Sequence, residues 1–120
     1  MKVLIIDDSE VICDLYTDML SSRGDSVTSV NNGREGLGLL EKNDYDLILL
    51  DICMPEYSGL QFLEDLKKQK PSEIKKISVI SRLAHDENLT VELEKFGITS
   101  IQENLSSIMH LDNSGTLITQ

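Results

Sequence analysis

The chain has 120 residues, which is enough for one domain and too few for two of ordinary size. A net charge of −10 argues against a nucleic-acid surface, which needs clustered basic residues, and no apolar stretch approaches the roughly 20 residues of a membrane span. Two cysteines supply neither a disulfide framework nor a four-ligand zinc set, and they suit a reducing compartment. We therefore expect a soluble, cytoplasmic protein with one domain over residues 1–120 and no output domain.

Five apolar segments predict β-strands. Residues 3–6 and 47–50 are continuous apolar runs, as in parallel strands that are covered on both faces. Weaker runs occupy residues 26–30, 77–80 and 98–101.

Amphipathic segments between these runs predict helices. The first ends at Gly24 and leaves Cys13 off its apolar face. That face comprises Val11, Ile12, Leu15, Tyr16, Met19 and Leu20. Further helices are predicted around residues 34–42, from Ser58 onward, over about 86–96, and as a shortened or irregular last helix at 105–111. Strands alternating with helices predict an α/β fold, a three-layer doubly wound parallel sheet with right-handed crossovers.

Polar side chains come at the ends of three predicted strands. Asp7 and Asp8 follow the first strand, Asp51 ends the third, and Ser81 ends the fourth. In an open α/β sheet these strand ends share one edge, where ligands bind. Clustered carboxylates repel each other unless a cation neutralises them, and Mg²⁺ suits such oxygen ligands because it also recruits phosphoryl oxygens. Asp51 could then act as a nucleophile toward phosphorus.

Three motifs add a family resemblance: IIDDSE at 5–10, LLDICMPEYSG at 49–59 and VISR at 79–82. They resemble the motifs of the response-regulator receiver domains of two-component signalling, over about residues 2–105. The resemblance implies a flavodoxin-like five-stranded sheet of order 2-1-3-4-5.

The same resemblance implies roles for the site residues. Asp51 would accept a phosphoryl group from a sensor histidine kinase or a histidine phosphotransfer protein. Asp8, Asp51 and the backbone carbonyl of Cys53 would bind Mg²⁺ directly, with Asp7 acting largely through water. Ser81 would be the switch hydroxyl that contacts the phosphoryl group.

The chain departs from the family pattern near its fifth strand. Asn104 and Leu105 stand where receivers usually have a lysine followed by a proline, and Ile101 replaces the usual aromatic switch residue. Arg82 replaces the small residue that usually follows the switch hydroxyl. One hypothesis is that Arg82 contacts the phosphoryl group and supplies the charge that Asn104 lacks. The alternative is an Arg82 side chain that points to solvent. Residues 105–120 form an atypical C-terminal segment.

Three classes of function fit these residues. The first is a stand-alone receiver, a monomer or weak dimer, which binds an unknown downstream protein and catalyses only its own phosphorylation and dephosphorylation. In this class Tyr57, in the loop after Asp51, could contact a kinase. The second is a phosphorylation-independent pseudo-receiver, a binding module that Asn104 and Ile101 favour. The third is a phosphohydrolase of the haloacid dehalogenase type, which is disfavoured because Cys53 stands where that class has a second aspartate. The acidic triad favours the first class, because a pure binding module has no need of mutually repelling acids.

Overall fold

The computed structural model describes residues 1–104, which form a five-stranded parallel sheet with helices on both faces. The strands are β1 (Lys2–Ile6), β2 (Ser26–Val30), β3 (Leu47–Asp51), β4 (Ile77–Ile80) and β5 (Ile101–Gln102). The helices are α1 (Glu10–Ser22), α2 (Gly33–Lys42), α3 (Gly59–Gln69) and α4 (Glu87–Glu94), with a 3₁₀-helix at Pro71–Lys76. The strand order β2-β1-β3-β4-β5 confirms the predicted doubly wound, flavodoxin-like fold.

The core has two halves because side chains alternate between the faces of each strand. One face packs against α2, α3 and α4 through Leu4, Ile6, Ile48, Leu50, Leu40, Phe62, Leu63, Leu66, Leu89 and Leu93. The other face packs against α1 through Val3, Ile5, Leu47, Leu49, Cys13, Tyr16 and Leu20. The two continuous apolar runs become the adjacent strands β1 and β3, which explains why they have no polar face. Within residues 1–104, no helix has the length and apolar character needed to cross a membrane.

Side-chain oxygens cap the N-termini of the four described helices. The acceptors are Ser9 for α1, Asn32 for α2, Ser58 for α3 and Asp86 for α4, and each takes the N–H of the residue three positions later. The caps of α1 and α3 fix the ends of the two loops that follow β1 and β3. These loops contain the candidate site.

The buried face of α1 differs from the predicted one. Cys13 is buried rather than off the apolar face, whereas Val11 and Leu15 are 75% and 49% exposed. Cys13, Tyr16 and Leu20 recur at helical spacing and form the narrow stripe that faces the sheet. The prediction is confirmed for Tyr16, Leu20, Ile12 and Met19, which pack on the sheet, and it is wrong for the other three residues because the apolar pattern is wider than the surface that α1 buries.

The fifth strand lies later in the chain than predicted. β5 comprises only Ile101–Gln102, not residues 98–101. Ile98 is nevertheless buried, because its side chain belongs to the core, and its N–H donates to the Leu93 carbonyl at the end of α4. Gly97 makes that turn possible with a φ of +80°. The predicted last helix and the rest of residues 105–120 lie outside the described residues.

Candidate functional site

Three carboxylates meet at the carboxyl edge of the sheet. The register of β1 with β3 pairs Ile6 with Leu50, so the next residues, Asp7 and Asp51, lie side by side. Carboxylate oxygens of Asp7, Asp8 and Asp51 all lie within 4.8 Å of one another. The structure thus brings together the three acids that the sequence puts at strand ends.

Burial and mutual repulsion disfavour the ionised form of this cluster. Asp7 is buried, Asp51 is partly buried and Asp8 is exposed. Burial raises the pKa of Asp7; the N–H of Ser9 opposes this, and the charge of Asp8 adds to it. Burial likewise raises the pKa of Asp51 to about 6, opposed by the N–H of Cys53 and reinforced by Asp7 and Asp8. A bound cation would remove much of this cost.

Backbone N–H groups orient two of the carboxylates. The N–H of Ser9 donates to Asp7 Oδ1 at 2.9 Å, and the N–H of Cys53 donates to Asp51 Oδ1 at 3.0 Å. Each bond engages one lone pair of one carboxylate oxygen, so both carboxylates can still accept a ligand. Cys53 lines the same cavity and can add its backbone carbonyl. This set of hard oxygen donors fits Mg²⁺.

Ser81 lies directly after β4 and lines this cavity, which has a volume of about 540 Å³. Its side chain is 3% exposed, and its Oγ accepts the Leu83 N–H at 3.0 Å and lies 3.8 Å from Cys53 Sγ. Because Oγ accepts from Leu83, its proton can be donated to a ligand or to the Cys53 sulfur. Capping the turn and contacting a bound anion are therefore compatible roles.

The lining of this cavity is predominantly negative. Within the described residues it contains the three aspartates and Glu103 against one cation, Arg82. The Arg82 side chain is exposed and forms no ion pair within residues 1–104. Glu103 instead pairs with the exposed His85 at 2.8 Å. Asn104 also lines the cavity but brings an uncharged amide.

A second cavity, of about 330 Å³, adjoins the first at Asp8 and was not predicted from the sequence. It lies between the β2–α2 and β3–α3 loops, with Arg34 and Tyr57 in its lining. Tyr57, which the sequence suggested as a residue that could contact a kinase, is buried. The Arg34 guanidinium lies 4.9 Å from its ring centroid. The sequence feature that could have indicated this burial is the position of Tyr57, an aromatic residue directly before the Ser58 cap.

Comparison with known proteins matches most of the chain to one family. The model of the response regulator receiver domain matches residues 3–101. The chain is 39% identical over 74 residues to the transcriptional regulatory protein HprR of Escherichia coli, an alignment that covers 62% of this chain and 33% of HprR. The chain spans about a third or less of the length of the first curated relatives that it matches.

Solved structures agree with that match. The Francisella response regulator 1452 receiver domain is 29% identical with a TM-score of 0.71, and the match covers 83% of this chain and 80% of that one. The response regulator TrrA of Thermotoga maritima, solved in complex with Mg²⁺–BeF, is 26% identical with a TM-score of 0.57, covering 79% and 97% of the two chains. The acidic cluster is compatible with the acidic pocket at which receiver domains bind Mg²⁺. By its family match and its strand order, the chain belongs to the response regulator receiver domains of two-component signalling.

Proposed function

We propose that Asp51 accepts a phosphoryl group from the phosphohistidine of a sensor histidine kinase or a histidine phosphotransfer protein. The supporting observation is that Asp51 lies beside Asp7 and Asp8 and lines one cavity with the buried hydroxyl of Ser81. The raised pKa values of Asp7 and Asp51 mean that ionising these buried, neighbouring acids costs free energy. Phosphoryl transfer with a bound cation is a function that needs such a cluster of carboxylates.

The proposed ligands of Mg²⁺ are Asp8, Asp51 and the backbone carbonyl of Cys53, with Asp7 acting largely through water. When bound, the ion supplies positive charge that neutralises the transferring phosphoryl group. The N–H bonds from Ser9 and Cys53 hold Asp7 and Asp51 in a fixed orientation before any ligand is present. The Mg²⁺–BeF complex of the similar TrrA supports the choice of metal.

The chemical step uses the second carboxylate oxygen of Asp51. Oδ2 attacks phosphorus, while Oδ1, which accepts the Cys53 N–H, keeps a second lone pair for Mg²⁺. The new O–P bond forms as the P–N bond of the phosphohistidine breaks, and the imidazole nitrogen leaves with the bonding electron pair. A pKa of about 6 leaves Asp51 largely ionised at neutral pH, so the nucleophile is available.

Ser81 is the proposed switch residue. Its hydroxyl proton would be donated to a phosphoryl oxygen, and its bond to the Leu83 N–H would pass that movement to the loop before α4. Asp86 caps α4, so displacement of the loop reaches the start of the helix. Ile101 has no ring that could rotate, so the readout would run through this loop and α4 or through the C-terminal segment of residues 105–120. A downstream protein, as yet unidentified, would bind there.

Arg82 is the proposed cation for the phosphoryl oxygens, because Asn104 brings no charge to the cavity. Its guanidinium can bond two oxygens of one phosphoryl group. Its exposure and its lack of an ion pair within residues 1–104 leave it available for that contact. The competing hypothesis, an arginine that only faces solvent, is equally compatible with its exposure.

The setting of this function is also a proposal. Two cysteines without a disulfide framework favour action in the reducing cytoplasm, and we expect the receiver to be a monomer or weak dimer. The negative charge favours protein partners over nucleic acid, and no membrane contact is expected. Its only catalysis would be its own phosphorylation and dephosphorylation.

A phosphorylation-independent pseudo-receiver is the alternative. Two observations favour it: Asn104 lines the cavity without a charge, and the partly buried Ile101 occupies β5. Such a module would bind its partner equally well with and without a phosphodonor.

Intact mass after incubation with Mg²⁺ and acetyl phosphate separates the two functions. We expect a phosphoryl adduct on the wild type and on Asp18→Asn, an exposed acid of α1, and none on Asp51→Asn. An adduct that persists in Asp51→Asn would mean a different acceptor. No adduct on any variant, including after trial with a histidine kinase, would favour the pseudo-receiver.

A further inference from the structure

The loop of residues 52–58, between β3 and α3, contains the groups that orient Asp51. Its Cys53 N–H holds Asp51 Oδ1, and its ends are tied by the Gly59 N–H, which donates to the Ile52 carbonyl at 3.1 Å. A Cβ on Gly59 would lie 2.7 Å from Ile52 Cα and 2.9 Å from the Asp51 carbonyl oxygen. The start of α3 is therefore in tight contact with the acceptor strand.

Tyr57 anchors the outer part of this loop to two helices. Its hydroxyl donates to the Asp65 carboxylate on α3. Its ring lies against Gly33 on α2, where a Cβ would come within 2.6 Å of Tyr57 Cδ1, and the Arg34 guanidinium covers the ring at 4.9 Å. The whole residue is 6% exposed.

The hydrogen bond from the Tyr57 hydroxyl to Asp65 is directional, whereas apolar packing is not. Met54, the other buried side chain in the middle of the loop, is held by apolar contacts, which tolerate sliding. The bond from Tyr57 to Asp65 fixes one distance between the loop and α3, and the Gly59 bond fixes another. Together the two bonds restrict the movement of the loop that carries the Cys53 peptide.

We propose that Tyr57 is a positioning residue for the acceptor site. Its bond to Asp65 and its contact with α2 hold the loop in the conformation in which the Cys53 N–H orients Asp51 and Cys53 lines the cavity of the acidic cluster. Tyr57 acts through Cys53 and does not touch the reacting atoms. The inference rests on the proposed function for its chemical readout, whereas the loop conformation is a property of the metal-free protein.

Four single variants of the full chain test this proposal. Tyr57→Phe removes only the hydroxyl, Asp65→Ala removes its acceptor, and Asp65→Asn keeps an oxygen that can accept. Tyr45→Phe is the matched control, because Tyr45 is a buried tyrosine that precedes β3 at the opposite end from Asp51. All measurements are made where each variant is fully folded by circular dichroism.

The readouts are hydrogen exchange of the 52–58 amides without metal, the Mg²⁺ dissociation constant by calorimetry, and the rate of phosphorylation by acetyl phosphate. We expect Tyr57→Phe and Asp65→Ala to speed exchange at Cys53 and to weaken Mg²⁺ binding by about ten-fold, as for other groups that orient metal ligands. The phosphorylation rate at saturating Mg²⁺ should fall as well. Asp65→Asn and Tyr45→Phe should behave like the wild type, and the double variant Tyr57→Phe/Asp65→Ala should be no worse than either single one.

Two results would overturn the proposal. One is a Tyr57→Phe protein whose Cys53 exchange and Mg²⁺ affinity match those of Tyr45→Phe; Tyr57 would then contribute only to stability. The other, decisive if Tyr57→Phe does not fold, is an Asp65→Ala protein indistinguishable from Asp65→Asn. If the wild type takes no phosphoryl group, the proposed function fails, while amide exchange and Mg²⁺ binding still decide the role of Tyr57.

Discussion

Replacing Asp51 with asparagine should stabilise the metal-free protein. The pKa of Asp51 is raised to about 6, whereas an aspartate in an unfolded chain titrates near 3.9. The folded state holds this proton more tightly, so stability is lost as the pH rises from about 4 to about 6 and the full loss is present above that range. A shift of about two units corresponds to about 3 kcal/mol, which we reduce to about 1–2 kcal/mol because Asp51 is partly exposed.

Urea unfolding followed by far-UV circular dichroism, with a chelator present, measures this difference. Asparagine removes the charge and keeps an oxygen that can accept the Cys53 N–H. At neutral pH the free energy of unfolding of Asp51→Asn should exceed that of the wild type by the stated amount, and the difference should shrink as the pH falls toward 4. Asp18→Asn, an exposed acid on α1, should match the wild type. Equal stability of Asp51→Asn and the wild type at neutral pH would refute the view that holding an ionised Asp51 in this partly buried cluster costs stability.

Three further predictions concern the metal, the loop after Asp51, and Arg82. Mg²⁺ at ten times its dissociation constant should add about 1.4 kcal/mol to the stability of the wild type but little to that of Asp51→Asn, and equal gains in urea unfolding would exclude Asp51 as a ligand. Gly59→Ala should cost about 1–3 kcal/mol because its Cβ would meet the backbone of β3, whereas Gly38→Ala, which has open space on α2, should gain about 0.5–1 kcal/mol. Thermal unfolding compares the two alanine variants, and an equal effect would contradict the tight contact at Gly59. Arg82→Ala should slow phosphorylation by acetyl phosphate by about ten-fold, with Arg82→Lys intermediate. An unchanged rate and adduct lifetime would mean that Arg82 only faces solvent.

The acidic cluster could be predicted because its residues directly follow apolar runs that are typical of buried parallel strands. An apolar run as dense as residues 47–50 is typical of a central parallel strand, and the polar residue at its end then lies at the carboxyl edge. The same reasoning applies to Asp7 after β1. Once both strands are central, parallel pairing leaves the two acids side by side.

The features that were missed depend on contacts that no local pattern encodes. Tyr57 is buried because Gly33, in another element of the chain, leaves space for its ring. In α1 apolar residues cover more than one face, so the pattern alone could not show which of them are buried. β5 was misplaced because Ile98 contributes to the core without belonging to a strand.

The fold holds the residues that follow β1 and β3 more firmly than those that follow β4 and β5. β1 and β3 have hydrogen-bonded neighbours on both sides, so Asp7 and Asp51 move only if the centre of the sheet moves. β5 pairs with β4 over two residue pairs at the edge, and the loop after Ser81 is largely exposed. Local opening at such an edge costs less free energy than opening in the core. Strain introduced by a phosphoryl group should therefore be released toward the loop after β4 and the start of α4. The exposed Leu83 lies in that loop and the exposed Val91 in the middle of α4, so we expect a partner to contact these two segments.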